Sequence, residues 1–170
     1  PNTALRYDSY DLIPGKPVLD KCPAVHANEE ECDTLVLHCS DSASGMEYDL
    51  YYSVMRELPA ICRRTVIRNK TKADAHILRA YSASVDFTTV DPDAQLLHLW
   101  GTWGRERHAE RTPLCHGSVS VSSRRGASSH HHNPFAALVT SETTEEHGMA
   151  FGISLVYSGN FDITCDTDAF

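Results

Sequence analysis

Met46-Glu47-Tyr48-Asp49-Leu50-Tyr51-Tyr52-Ser53-Val54 decides the fold. Apolar or aromatic residues at 46, 48, 50, 52 and 54 fall on one side of an extended chain, and Glu47, Asp49, Tyr51 and Ser53 fall on the other. That period of two belongs to a half-buried strand. It recurs outward from this stretch. Residues 34–39 put Leu35, Leu37 and Cys39 together, and 75–87 collects Ala75, Ile77, Tyr81, Ala83, Val85 and Phe87, with Arg79 as the exception. Further on, 151–157 aligns Phe151, Ile153, Leu155 and Tyr157, and 161–165 aligns Phe161, Ile163 and Cys165. No stretch sustains apolar residues at i, i+3, i+4 and i+7, so no crossover helix is expected. Turn-forming residues punctuate the runs at Asp41 to Gly45, Asn69 to Lys72, Asp91 to Ala94, Glu145 to Gly148 and Ser158-Gly159-Asn160. The pattern predicts an all-β domain of stacked, mainly antiparallel sheets.

The 170 residues fit a single domain, 1–170, with a core of ordinary size. A hydrophobic content of 41% and a charged content of 22% are those of a soluble globular chain. No apolar run approaches the roughly 20 residues of a membrane-spanning helix, so no membrane partner is expected. A net charge of -8 speaks against nucleic acid, which a basic surface must neutralise. The opening PNTALRYDSYDLIPGKP has no basic start followed by an apolar core, so it does not read as a secretory signal, and the missing initiator methionine points to a trimmed piece of a longer chain. The six cysteines contain no C-x-x-C spacing. They are expected to be free, mostly buried thiols in a reducing, cytoplasmic compartment.

The block from Trp100 to Phe135, WGTWGRERHAERTPLCHGSVSVSSRRGASSHHHNPF, holds both tryptophans, five of eleven arginines and five of ten histidines. It reads as one long irregular segment, interrupted only by a strand-like Ser118-Val119-Ser120-Val121, and long loops in compact domains are usually functional. Its candidate contact residues are Trp100, Trp103, Arg105, Arg107, Arg124, Arg125, His130, His132 and Asn133. On a straight strand Trp100 and Trp103 face opposite ways, and only a bend at Gly101 or Gly104 brings them together. Either one ring is core and the other caps an edge, or they form an aromatic platform for a sugar or a partner. The alternating charges of Arg105 to Arg111 suit a solvated face or a desolvated arginine docking surface. His130 and His132 would point the same way on a strand, a chelate without a third ligand. No metal and no other cofactor is expected. No Gly-x-Ser-x-Gly elbow, reactive-cysteine motif, phosphate loop or dinucleotide fingerprint occurs, and the pairs Asp91/Asp93 and Asp166/Asp168 sit in turn-like or terminal sequence. No catalytic residue is expected in this chain.

Trp100-Gly101-Thr102-Trp103-Gly104-Arg105-Glu106-Arg107-His108, Ser123-Arg124-Arg125-Gly126-Ala127-Ser128-Ser129-His130, His132-Asn133-Pro134-Phe135 and Phe151-Gly152-Ile153-Ser154-Leu155-Val156-Tyr157-Ser158-Gly159-Asn160-Phe161 follow one another in order. With Arg79 to Phe87 and Leu12 to Pro17, they resemble the amino-terminal domain of glycoside hydrolase family 36 α-galactosidases, over most of the chain. The resemblance implies a galactose mutarotase-like β-supersandwich, truncated at its N-terminus so that a sheet edge is open to another copy. It implies a parent with a central (β/α)8 barrel and a small carboxy-terminal β domain, both absent here. Such parents release terminal α-1,6-linked galactose from melibiose- and raffinose-type oligosaccharides with retention, through two barrel aspartates. The implied partners are the barrel of the same chain, further copies in a homo-oligomer (a tetramer in the parent) and the α-galactoside. His131 departs from the glutamine common in the family. Two other readings stay open: a free-standing carbohydrate-binding module using Trp100 or Trp103, and a mutarotase-type epimerase, which needs a histidine and a carboxylate in one groove.

Overall fold

The computed structural model describes residues 4–88, 91–127, 130–157 and 159–167. Among the described residues there are ten strands and no helix. They are β1 (Arg6–Pro14), β2 (Cys32–Asp41), β3 (Met46–Met55), β4 (Ile61–Asn69), β5 (Gln95–Thr102), β6 (Arg105–Pro113), β7 (Gly117–Ser123), β8 (His132–Val139), β9 (Ala150–Ser154) and β10 (Phe161–Thr167). The chain forms two compact units, one of Pro1–Asp20 with Val25–Asp86, the other of Lys21–Ala24 with Phe87–Phe170.

The first unit carries an antiparallel sheet in the order β1-β2-β3-β4. Its centre is the stretch that decided the fold, and the alternation is there, with Leu37 opposite Leu50 and Leu35 opposite Tyr52. The deeper burial lies on the other face. Asp49 is 6% and Ser53 3% exposed, while Leu50 and Tyr52 are half-buried. Polar groups can be buried there because each meets a partner. Thr34 Oγ1 donates to the carbonyl of Gly15 at 2.6 Å and lies 2.7 Å from Ser53 Oγ. Asp41 closes the β2–β3 hairpin by accepting from the Ala43 amide and the Ser44 hydroxyl.

Four side chains tie all four strands across that face. His38 Nδ1 lies 2.8 Å from Asp49 Oδ1 and its Nε2 3.1 Å from Asp11 Oδ2, while Arg68 reaches Asp49 Oδ2 at 2.5 Å. The bond to Asp49, then that to Asp11, raises the His38 pKa above its ordinary 6.5. Burial pushes the Asp49 carboxyl up, and the hydrogen bonds from His38 and Arg68 bring it net below the usual 3.8. The histidine's contribution is therefore complete below pH ~6.5 and lost as pH rises through its raised value, whereas that of Asp49 is lost as pH falls through its lowered one. His38→Gln should lower the melting temperature at pH 6 by more than at pH 9. Equal losses at both pH values would show that the imidazolium has no part in holding β1.

Residues 75–87 correct the sequence reading, for they form no strand. They follow β4 as loop and bends without a ladder, held at points such as Arg63 Nη1 to the Ser84 carbonyl, and Ile77, Tyr81 and Val85 stay exposed. Alternation reports an extended chain; a strand also needs a neighbour to bond.

In the second unit a sheet of order β6-β5-β8-β9 and a two-stranded sheet β10-β7 share a core of Leu96, Val121, Ala136 and Phe161, with Leu114, Val119, Leu155, Ile163 and Cys165 around it. The Trp100–Phe135 block is likewise not one irregular segment. It contains the end of β5, all of β6 and β7 and the start of β8. β6 escaped notice because it is an edge strand exposed along nearly its whole length, so no apolar face marks it. All six thiols are free, as expected, but fewer are buried than expected: Cys32 and Cys39 are buried, Cys62 and Cys165 half-buried, and Cys22 and Cys115 exposed. Among the described residues no helix is long and apolar enough to cross a membrane.

Candidate contact surface

The β5–β6 hairpin turns at Trp103-Gly104, so the second tryptophan sits at its tip, 87% exposed. Gly104 adopts φ +76°, a left-handed conformation that glycine takes without strain, and its amide donates to Glu106 Oε1 at 2.9 Å. The ladder slips between Trp100 and Thr102. At this bulge a Cβ on Gly101 would strike the Arg105 carbonyl oxygen and lie 2.7 Å from Glu106 Cα. Both glycines that the sequence marked as possible bends are thus used, but the ring beside Trp100 is that of His108, with centroids 5.2 Å apart and planes tilted by 38°.

Trp100, 38% exposed, pairs across the ladders with His108 on β6 and His132 on β8. Trp100, Thr102, Arg105 and His108 line a shallow cavity of about 310 Å³. His132 packs edge-on against His131 at 4.5 Å and lies 6.1 Å from His98. Burial lowers the His132 pKa, helped by the positive fields of His131, His98 and Arg125 and opposed by Glu110. Nδ1 of His98 and of His132 is buried without a hydrogen-bond partner among the described residues. Half-buried Asn133 follows on β8, and His130 is exposed in the preceding turn. No group of three or more His, Cys, Asp or Glu placed to hold a metal occurs among the described residues.

The remaining arginines separate. Arg107 is exposed in the left-handed region, φ 60°, on the edge strand, where a non-glycine residue is strained by about 1 kcal/mol. Arg111 folds back, donating to the Thr143 carbonyl at 2.5 Å. Arg124 and Arg125 lie exposed in the bend after β7, anchored by the Gly126 amide on Asn160 Oδ1 at 2.7 Å. Ser128 and Ser129 lie outside the described residues. The structure therefore gathers Trp100, Arg105 and His132, with Trp103 projecting beyond them, while Arg124 and Arg125 sit on a separate bend from which the charge of Arg125 still reaches His132. Sequence reasoning missed His98, Thr102 and His108; the polar His98 inside the apolar run Leu96-Leu97-His98-Leu99-Trp100 was the signal for the first.

This hairpin surface on an antiparallel all-β chain belongs to a known class of domain. The family model of the glycosyl hydrolase family 36 N-terminal domain matches residues 1–170, and the chain belongs to that family. It is 43% identical over 169 residues to α-galactosidase AgaA of Geobacillus stearothermophilus, covering 99% of this chain and 23% of that one. It is 41% identical over 157 residues to α-galactosidase C of Emericella nidulans, covering 92% of this chain and 21% of the relative. The crystal structure of AgaB from Geobacillus stearothermophilus superposes with a TM-score of 0.93 at 42% identity, over 98% of this chain and 23% of that one. A crystal structure of an AgaA variant with raffinose gives 0.90 at 41%, over 98% and 23% respectively. The chain thus spans less than a quarter of the length of these relatives.

Proposed function

We propose that residues 1–170 act as the non-catalytic amino-terminal domain of an α-galactosidase that releases terminal α-1,6-linked galactose from raffinose- and melibiose-type oligosaccharides. The observation that carries this is the match of the whole chain to under a quarter of proteins named α-galactosidases. A raffinose complex of one such relative supports the substrate class. In the parent, a catalytic barrel and further copies in a homo-oligomer cover the hairpin surface, and Trp103 helps shape the active-site mouth. Its exposure supports this: a rigid indole at the tip of a two-residue turn loses little freedom on docking and suits a buried anchor.

Trp103→Ala in the full-length enzyme should lower kcat/KM for raffinose by about 30-fold, or weaken oligomer assembly, as loss of an anchor worth about 2 kcal/mol would do. Unchanged kinetics together with an unchanged assembly mass would sink the role. The cavity beside Trp100 favours a second reading, a free-standing sugar-binding module. Calorimetry of residues 1–170 with galactose and melibiose separates the two, since heat of binding supports the module and silence supports the scaffold.

A further inference from the structure

Asn69-Lys70-Thr71 is an acceptor sequence for N-linked glycosylation, with a residue other than proline between asparagine and threonine. It lies where β4 ends, and Asn69 through Ala73 are all exposed. The side chains already form a compact turn. Thr71 donates its amide to Asn69 Oδ1 at 2.9 Å, and its hydroxyl lies 2.8 Å from that oxygen and 3.0 Å from the Ala73 carbonyl. Asn69 Nδ2 donates one hydrogen to the Ala73 carbonyl at 2.7 Å. An amide nitrogen carries two hydrogens, so the second is spare. Lys70 is drawn off to Glu47 at 3.1 Å and its amide bonds the Gly45 carbonyl, which holds the turn against the β2–β3 hairpin.

We infer that Asn69 is an N-glycosylation site, accepting an oligosaccharide from a lipid-linked pyrophosphate donor. In the transfer, Nδ2 gives up one proton and bonds to the anomeric carbon of the donor sugar. The bond from that carbon to the pyrophosphate oxygen breaks, and the lipid pyrophosphate leaves with the electron pair. The product is a secondary amide with one N–H left, and its oxygen still accepts from Thr71. The oxygen that holds Thr71 is untouched, and Asn69 is exposed to solvent. The inference carries with it passage of the natural chain through a secretory lumen.

The test expresses the whole natural chain that carries these residues, secreted from yeast. The folded product is treated with a glycan-releasing amidase in heavy-oxygen water and read by peptide mass spectrometry. Asn69 should appear as heavy-oxygen aspartate, and Asn69→Gln and Thr71→Ala should each abolish that signal and reduce the mass lost by the intact protein on treatment by that of one glycan. Asn69→Asp keeps the oxygen that holds Thr71 and should fold like the parent without modification, which separates loss of the glycan from loss of the turn. An unmodified Asn69 in the folded, secreted chain overturns the inference.

Discussion

Gly101→Val should unfold the β5–β6 hairpin and remove most of the soluble, cooperatively melting protein. The added side chain has nowhere to go: its Cβ would collide with the Arg105 carbonyl oxygen and the Cα of Glu106, both backbone atoms of the paired strand. Backbone cannot yield as a flexible side chain can, so relief means unzipping the ladder between Trp100 and Arg105 and breaking the bond from the Gly101 amide to the His131 carbonyl, 3.2 Å. Overpacking with a broken ladder is expected to cost more than about 4 kcal/mol, against a total stability of roughly 5–15 kcal/mol for a domain. Gly104→Ala provides the comparison. Nothing lies within 4 Å of its would-be Cβ, so only the left-handed φ of 76° resists, worth about 1 kcal/mol. Thermal melts of the two variants read the difference, and a Gly101→Val protein that melts within a few degrees of wild type would mean the close approach is absent.

Phe161→Ala should destabilise the protein by about 3–5 kcal/mol. The ring is 5% exposed and meets Leu96, Val121 and Ala136 at the centre of the second unit, so truncation leaves a cavity walled by two sheets. Val121 and Ala136 sit on paired strands and cannot move in to fill it without shifting register. Phe151→Ala is the matched control. That ring is half-open and touches Phe87 with centroids 5.0 Å apart, and its loss should cost about 1 kcal/mol or less. Urea midpoints at constant slope measure both, and equal losses would place the core elsewhere.

What could be read in advance follows from where each strand sits. Residues 46–54, 34–39 and 161–165 announced themselves because they alternate, and with the turn residues and the lack of helical periodicity they carried the all-β class with antiparallel sheets. β1 and β6 were silent because edge strands wetted on both faces need no apolar side. β4, with Arg63, Arg64 and Arg68, hid its strand character behind charge. Two of those guanidiniums stack on tyrosines, Arg63 over Tyr52 at 4.4 Å and Arg64 over Tyr51 at 4.0 Å, and so serve as cover for the sheet. The opposite error arose at 75–87, where alternation exists without a pairing partner. At the hairpin surface the residue types were visible and their grouping was not. Trp100 meets His108 and His132 through ladder register, a long-range property that the order of residues does not contain.

The outer margin of the second unit's larger sheet is drawn by Arg105, Glu106, Arg107, Glu110 and Arg111, charges of both signs on a strand open to water. Such a fringe repels uncontrolled stacking of identical chains, because zipping two copies together would strip the hydration from every one of these groups. The same residues that made this strand unreadable as a strand therefore weigh against edge-to-edge pairing of identical copies along it.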